Sequence, residues 1–399
     1  MAEPSPPRAD FQIRLSRRFR KQQEFAAGYS PLYSRLFGLL ADWLATEPGR
    51  DPLVDWLLQA AATRSSFDVP LLLLAGLHRD ILTGVVEVAA LAHYYPTVGG
   101  TRSADDRDLA AALRAAIRAR QNPLADFLRT ATVQTNETAR GLCWLLPVLY
   151  PGWPAIHLVD LGASAGLNLV ADHRGYRVAG GVEGEEMFDL GSGAPGQFLV
   201  ASQGELSFPL QNSPPAILSR IGCDCAPFSL ATIQDEQTLA AFVWGDQAGR
   251  LTTLRQGIAA LHRVSRTQVP VQLYPAHLPD DLASFLEQQV APCVGAPIVI
   301  YNTYLTTYLH DKGASLQPQL ASWAAAQAQP VLWLQWETLW QGPQPPAFGW
   351  VGWTADLWQD GRHFHWHLAW AHPHGTLIQW LPGSIDWANF WQIRQGNSG

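Results

Sequence analysis

The sequence predicts an α/β protein: an all-helical N-terminal domain over residues 10–150, then a mostly parallel sheet over 151–399 closed by a C-terminal antiparallel hairpin. Three observations carry this. Before residue 150 the apolar residues recur at helical spacing, and no period-2 segment appears before residue 155. After residue 155, short apolar runs alternate with helical stretches. One of these runs, 156–161, ends in Asp160-Leu161 and turns through Gly162-Ala163-Ser164-Ala165-Gly166 into a new apolar segment. Strand, tight turn and helix form the unit with which open α/β sheets hold a ligand above their strand ends.

In the first half, Leu36, Leu39, Leu40 and Trp43 mark one helical face, and Leu109, Leu113 and Ile117 mark another. Pro31, Pro52, Pro70, Pro96 and Pro123 punctuate the helices at their starts or between them. Tyr94-Tyr95-Pro96 to Gly99-Gly100 reads as a loop. Arg14, Arg17, Arg18, Arg20 and Lys21 give a basic amphipathic start, read as a surface helix after a disordered leader. In the second half, strands are expected at 156–161, 216–223, 270–275, 297–303 and 331–336. Helices are expected at 164–172, 235–262 in one or two pieces, 279–290 and 314–328. A Gly-rich insertion at 174–213, with extended pieces at 176–178 and 197–201, is expected to cover the site. Segments 363–371 and 376–381 flank Pro373-His374-Gly375, the pattern of a hairpin.

Composition narrows the function classes. With 399 residues and 47% apolar content, a sizeable core is assured. A net charge of −7 argues against nucleic acid as the main partner. Lysine occurs only at Lys21 and Lys312, an arginine bias that reads as codon composition. No apolar run approaches the ~18 residues of a membrane span, and no signal peptide is expected. The four cysteines are too few for a disulfide framework. Cys223 and Cys225 lack C-x-x-C spacing, so all four are expected as buried thiols in a reducing cytoplasm.

Three motif families compete for residues 160–166. The dinucleotide fingerprint G-x-G-x-x-G fails, because Ser164 stands at its second Gly and Leu167 at its third. The nucleophile elbow G-x-S-x-G matches at Ser164, but no sheet strands precede it and no His-Gly-Gly oxyanion segment is seen. Asp160-Leu-Gly162-Ala-Ser164-Ala-Gly166 resembles the first motif of class I S-adenosylmethionine-dependent methyltransferases, with serine at the middle glycine. That resemblance implies a Rossmann-like, methyltransferase-type sheet. It also implies helix-end N–H groups for the carboxylate of the cofactor and Asp160 for its ammonium. The run Ala-Ile-Leu-Ser-Arg-Ile-Gly222-Cys-Asp224 looks like the methyltransferase strand whose acid grips the ribose hydroxyls. About 60 residues separate Asp224 from Gly162, instead of ~20, and the insertion accounts for the gap.

More of the chain resembles an uncharacterised bacterial family, a domain of unknown function pairing a helical half with a methyltransferase-like half. The resemblance spans residues 15–390. It rests on Ser30-Pro31-Leu32-Tyr33, Tyr94-Tyr95-Pro96, Thr132-Val133-Gln134-Thr135-Asn136-Glu137, Gly162-Ala163-Ser164-Ala165-Gly166-Leu167-Asn168-Leu169, Arg220-x-Gly222-x-Asp224 and Val243-Trp244-x-Asp246-Gln247-x-x-Arg250. Asp160 stands where glutamate is the usual letter. These strings reveal no reaction.

Other constellations have plain structural readings beside functional ones. Gln134, Asn136, Glu137 and Arg140 either cap a helix, with Thr135 or Asn136 as acceptor, or line the mouth of a cofactor cleft. Tyr301-Asn302-Thr303-Tyr304 ends the fourth strand, where such enzymes present catalytic groups, and a packed tyrosine pair is the alternative. Asp246 and Arg250 stand at i, i+4, as a surface ion pair would. His277 follows the third strand as a base or as a structural histidine. His363, His365 and His367 share one strand face opposite Phe364, Trp366, Leu368 and Trp370, so they read as the polar side of a hairpin and not as a metal site. Twelve of the 17 tryptophans follow residue 320; Trp340, Trp350, Trp353 and Trp358, in loop-like sequence, read as an aromatic substrate wall.

The expectation is a cytoplasmic S-adenosylmethionine-dependent methyltransferase acting on a small or aromatic acceptor, with no metal, nucleic acid or membrane partner. Asp160, Gly162, Ala163, Ser164, Gly166, Asn168, Asp224 and Asn136 would bind the cofactor. A base would come from Glu137, His277 or Tyr304. The alternatives are a non-catalytic cofactor-binding protein of the same fold, or a serine hydrolase using Ser164.

Overall fold

The computed structural model describes residues 8–46, 49–134, 136–180, 186–193, 198–206, 214–347 and 349–396. It forms two compact units, one of residues 1–135 with 230–252 and the other of 136–229 with 253–399. The expected leader lies outside the described residues.

The first unit is helical: Arg8–Ala26, Pro31–Leu44, Pro52–Ala60, Val69–Leu82, Ala89–Ala92, Leu109–Ala119, Gln121–Thr130 and Ile233–Ala241. Pro31, Pro52 and Pro70 sit in first turns, where a missing N–H costs nothing. The unit boundary differs from the expected break at residue 150 for a packing reason. Trp244 belongs to the helical core, stacked on Tyr29 at 5.1 Å and on Tyr33 at 4.9 Å between centroids. Asp246 accepts the Ser30 hydroxyl at 2.7 Å and the Leu32 N–H at 3.1 Å, so it caps the Pro31–Leu44 helix. The Gln247 amide donates to Tyr29 O at 2.6 Å. The strings around Ser30, Tyr95 and Trp244 therefore build one structural knot, and a Cβ on Gly245 would fall 2.0 Å from the Tyr95 ring.

Conversely, the helical turns at Thr138–Gly141, Leu142–Leu145 and Pro147–Leu149 bury their side chains in the sheet unit. That sheet comprises β1 Ala155–Leu161, β2 Tyr176–Gly180, β3 Glu186–Leu190, β4 Phe198–Gln203, β5 Ala216–Asp224, β6 Val271–Pro275, β7 Ile298–Thr303, β8 Val331–Glu337, β9 Val351–Gln359, β10 Arg362–Ala371 and β11 Leu377–Trp380. The strand order is β3-β2-β4-β11-β10-β9-β8-β7-β1-β5-β6. β6, β5, β1, β7 and β8 are mutually parallel, and their runs are those expected from sequence. β9 runs against β8, β10 against β9, and β11 against β10. The fold is thus a helical N-terminal region followed by a mixed, mostly parallel sheet with antiparallel hairpins.

Several local expectations change. The turn after β1 leads into a seven-residue 3-10 helix, Leu167–His173, broken at Val170 by φ −116° and ψ 25°, instead of a regular helix over 164–172. The described part of the 174–213 insertion supplies β2, β3 and β4, joined to the sheet through the parallel β4–β11 pair. The rest of it lies outside the described residues. β9 occupies sequence read as loop, and Trp353 and Trp358 within it are buried core residues, not a substrate wall. Helix Pro382–Gly396 was not anticipated.

Seven strand spacings would set β2 roughly 34 Å from β1 in a flat sheet. Yet Tyr176 and Val178 of β2 share one buried cluster with Leu158 of β1 and with Leu142, Trp144 and Leu145. The sheet curls around the 138–149 segment, as a long twisted sheet tends to do. No single described helix is long and apolar enough to cross a membrane.

Candidate functional site

β1 has β5, the next parallel strand in the chain, on one side and β7 on the other. Such a switch point leaves a crevice outside the carboxyl ends of the strands. The turn after β1 is locked there. The N–H groups of Gly162 and Ala163 both donate to Cys223 O at 2.8 Å. Gly162, Ser164 and Gly166 take positive φ of 86°, 48° and 72°. Glycine adopts this readily; Ser164 does so at a cost. A Cβ on Gly162 would meet Leu305 Cδ1 at 3.1 Å, a tight contact that adds to the cost of the left-handed backbone.

The two expected acids stand on adjacent strands, with Asp160 paired to Gly222 in register. Asp160 is buried and accepts the Tyr301 hydroxyl at 2.8 Å. Burial pushes its carboxyl up to about 7; the Tyr301 bond works against this, and the Asp224 charge adds to it. Asp224 Oδ2 accepts the Ser164 N–H at 3.0 Å, and Oδ1 accepts the Ala226 N–H at 3.0 Å. Oδ1 also accepts the Cys225 thiol at 3.6 Å. Asp224 thereby ties the motif turn to β5, and Oδ2, with one donor, keeps a second lone pair for a ligand hydroxyl.

The segment ahead of β1 joins this turn. Asn136 Nδ2 donates to Ser164 Oγ at 3.1 Å, and Asn168 Nδ2 donates to Glu137 O at 3.3 Å. Asn168 also accepts the Trp144 indole N–H on its carbonyl at 2.8 Å, a packing role. Glu137, 5% exposed, lies 3.2 Å through Oε2 from His374 Nδ1. Arg140 Nε donates to Pro373 O at 3.0 Å, and its guanidinium sits 4.1 Å over the Tyr304 ring. The side chains of Asn136, Glu137 and Arg140 thus reach the motif turn, the 372–375 turn and the Tyr304 loop, and the helical turn at Thr138–Gly141 shows no side-chain cap. Thr135 lies outside the described residues, and Gln134 donates to Thr132 Oγ1.

Sequence reading missed Glu337. At the end of β8 it accepts Asn302 Nδ2 at 2.7 Å and Leu305 N–H at 2.6 Å on Oε1. On Oε2 it accepts Thr306 N–H at 3.1 Å and Thr306 Oγ1 at 2.8 Å. Burial pushes its carboxyl up while these four donors pull it back. The loop carrying Tyr304, at φ 58°, is held by this acid. Tyr304 donates its hydroxyl to Gly349 O at 2.7 Å, and burial pushes its pKa far up.

Other expected residues fall elsewhere. His277 is exposed beyond β6, the last strand in the order, and its N–H donates to Asp281 at 2.8 Å. His363 and His365 both bond Asp356 Oδ1, at 2.8 and 2.9 Å. No group of three or more metal-ligating side chains suited to an ion occurs among the described residues. Cys225 is exposed and Cys293 half-buried, so only Cys143 and Cys223 are the buried thiols expected.

The fold and this strand edge define an α/β protein with a helical N-terminal region. The chain belongs to the bacterial family described as uncharacterized protein conserved in bacteria, DUF2332, which matches residues 16–380. A search of curated proteins finds no match, and a search of solved structures finds none either.

Proposed function

We propose that this protein is a cytoplasmic, S-adenosylmethionine-dependent methyltransferase whose sheet is of the class I, Rossmann-like type. The supporting observation is that Asp224 of β5 bonds the Ser164 N–H of the turn after β1, so two acid-tipped neighbouring strands share one ligand edge. The parallel strands run β6-β5-β1-β7-β8, third-second-first-fourth-fifth if the inserted strands are set aside, as in a doubly wound dinucleotide fold.

The residues present suit an adenosyl amino acid. Asp224 offers acceptor positions to ribose hydroxyls, Asp160 lies where an ammonium would relieve its burial, and the Gly162–Gly166 turn allows close backbone approach. A seven-residue 3-10 turn adds little dipole, so the turn backbone carries the role first given to helix-end donors. When bound, the cofactor supplies an electrophilic methyl group. The chain's contribution is to position a small or aromatic acceptor in line and to take its proton.

Calorimetric titration with S-adenosylmethionine and S-adenosylhomocysteine tests the reading. Binding to the wild type is expected, weakened at least about tenfold in Asp224→Ala. No binding overturns the reading, and equal affinity in the variant removes the ribose assignment.

The left-handed backbone of Ser164 within G-x-S-x-G favours a second reading, a hydrolase with Ser164 as nucleophile. A fluorophosphonate probe separates the two. The methyltransferase is expected to stay unlabelled, and labelling lost in Ser164→Ala would decide for the hydrolase.

A further inference from the structure

We propose that His374 is the proton-accepting base of this site and that Glu137 is the positioning residue that orients it; the assignment rests on the methyl-transfer reading. Topology brings the imidazole to the correct edge. β9 opposes β8 and β10 opposes β9, so β10 runs in the direction of β1, β7 and β8. The turn after β10, residues 372–375, therefore emerges at the edge where the motif turn and the Tyr304 loop lie.

The turn is fastened there on three sides. Arg140 Nε bonds Pro373 O at 3.0 Å, and Glu137 Oε2 lies 3.2 Å from His374 Nδ1. Gly375 has φ 66°, and a Cβ on it would come 2.9 Å from Ala139 Cβ. Asn136, the neighbour of Glu137, reaches the Ser164 hydroxyl at 3.1 Å. Consecutive residues thus grip the motif turn and the imidazole.

The chemistry follows from the pairing. With Nδ1–H donated to a carboxylate, the neutral ring carries its lone pair on Nε2, an atom that is buried in this structure and that an acceptor must uncover, and the carboxylate stabilises the imidazolium that forms. The side chains are 15% and 5% exposed, which strengthens the interaction over a surface pair. The other groups considered as bases fit less well. Tyr304 spends its hydroxyl on Gly349 O, and His277 is exposed beyond an edge strand. As the acceptor's electron pair forms its bond to the methyl carbon, the carbon–sulfur pair stays on sulfur. The acceptor's proton passes to Nε2 of His374, and the resulting charge faces Glu137. Among the described residues, charged and titratable neighbours of the turn include Glu137, Arg140 and His372, whose ring centroid is 5.5 Å from that of His374.

The test is 15N-histidine NMR on the full chain, assigned through chain connectivity, with calorimetry run in parallel. The wild type is expected to show the Nδ1–H tautomer at neutral pH. Glu137→Gln is expected to lower the pH at which His374 titrates by about one unit or more. S-adenosylhomocysteine is expected to shift the His374 resonances at the concentrations that give binding heat. An Nε2–H tautomer, a titration unmoved by Glu137→Gln, or binding heat with unmoved His374 resonances overturns the assignment and leaves the cofactor reading standing. Absence of binding heat from folded protein removes the methyl-transfer reading, and the assignment with it.

Discussion

Asp160 combines a buried carboxyl, a tyrosine hydroxyl at 2.8 Å and a neighbouring acid whose charge opposes ionisation. With its folded pKa pushed up to about 7, above an unfolded value of about 4, the folded state holds the extra proton between these limits. The stability this group contributes is therefore complete below about pH 4 and lost as pH rises through about 7. Asp160→Asn keeps an acceptor for Tyr301 and removes the charge. It is expected to match the wild type near pH 4 and to exceed it by on the order of 4 kcal/mol at pH 8. Urea unfolding at the two pH values measures this, and a gain independent of pH would contradict it. The same carboxyl gives the cofactor reading a second test. An ammonium placed beside Asp160 lowers its pKa, so binding at pH 7 is expected to release a fraction of a proton. Calorimetry in two buffers of different ionisation enthalpy reads that release, and none would argue against an Asp160–ammonium contact.

Glu337 is to the β7–β8 edge what Asp224 is to the β1–β5 edge, an acid that fastens a loop to the neighbouring strand. Glu337→Ala strands four donors on Asn302, Leu305 and Thr306, at an expected cost of about 3 kcal/mol or more. Glu337→Gln is expected to cost less, because its amide oxygen still accepts while its nitrogen faces donors. Denaturant midpoints check the order, and an alanine variant within 0.5 kcal/mol of wild type, an expectation for neutral surface changes, would refute it. The acid was invisible in the sequence because its partners lie about 30 residues upstream across a strand pairing. His374 was read only as part of a hairpin turn, because its partner Glu137 lies 237 positions away. Of the five parallel strands, β1, β7 and β8 were legible because strands buried on both faces read as short apolar runs bounded by turn residues, while β5 and β6 are partly exposed and were legible from their apolar letters alone. β9 is buried on both sides too, yet Gly352, Thr354 and Asp356 interrupt its apolar run, and Gly-Pro sequence precedes it. The motif turn was legible since it is local; its contacts with Asn136 and Asp224 were anticipated only as shared membership of one site.

The division of the chain at residue 150, natural from texture alone, cuts across both cores. Residues 138–149 are helical in sequence and in structure, but Leu142, Trp144 and Leu145 are buried among sheet side chains. Residues 230–252 lie within the connection from β5 to β6, yet Trp244 fills the space between Tyr29 and Tyr33 in the helical unit. Periodicity reports the local element, and only packing reports which core owns it. A chain of residues 8–150 would lack Trp244 and the Asp246 cap while exposing the apolar 142–149 turns. It is expected to unfold without a cooperative urea transition and to associate. A chain joining 8–134 to 230–252 by a flexible linker is expected to recover cooperativity. Trp244→Ala in the full protein is expected to lower the stability of the helical unit by about 3–5 kcal/mol, as for other large buried aromatics. Tryptophan fluorescence and near-UV circular dichroism across a urea series read all three. A cooperative 8–150 chain, or a Trp244→Ala protein as stable as wild type, would place the true boundary at residue 150 and reduce the Tyr29–Trp244–Tyr33 stack to a surface contact.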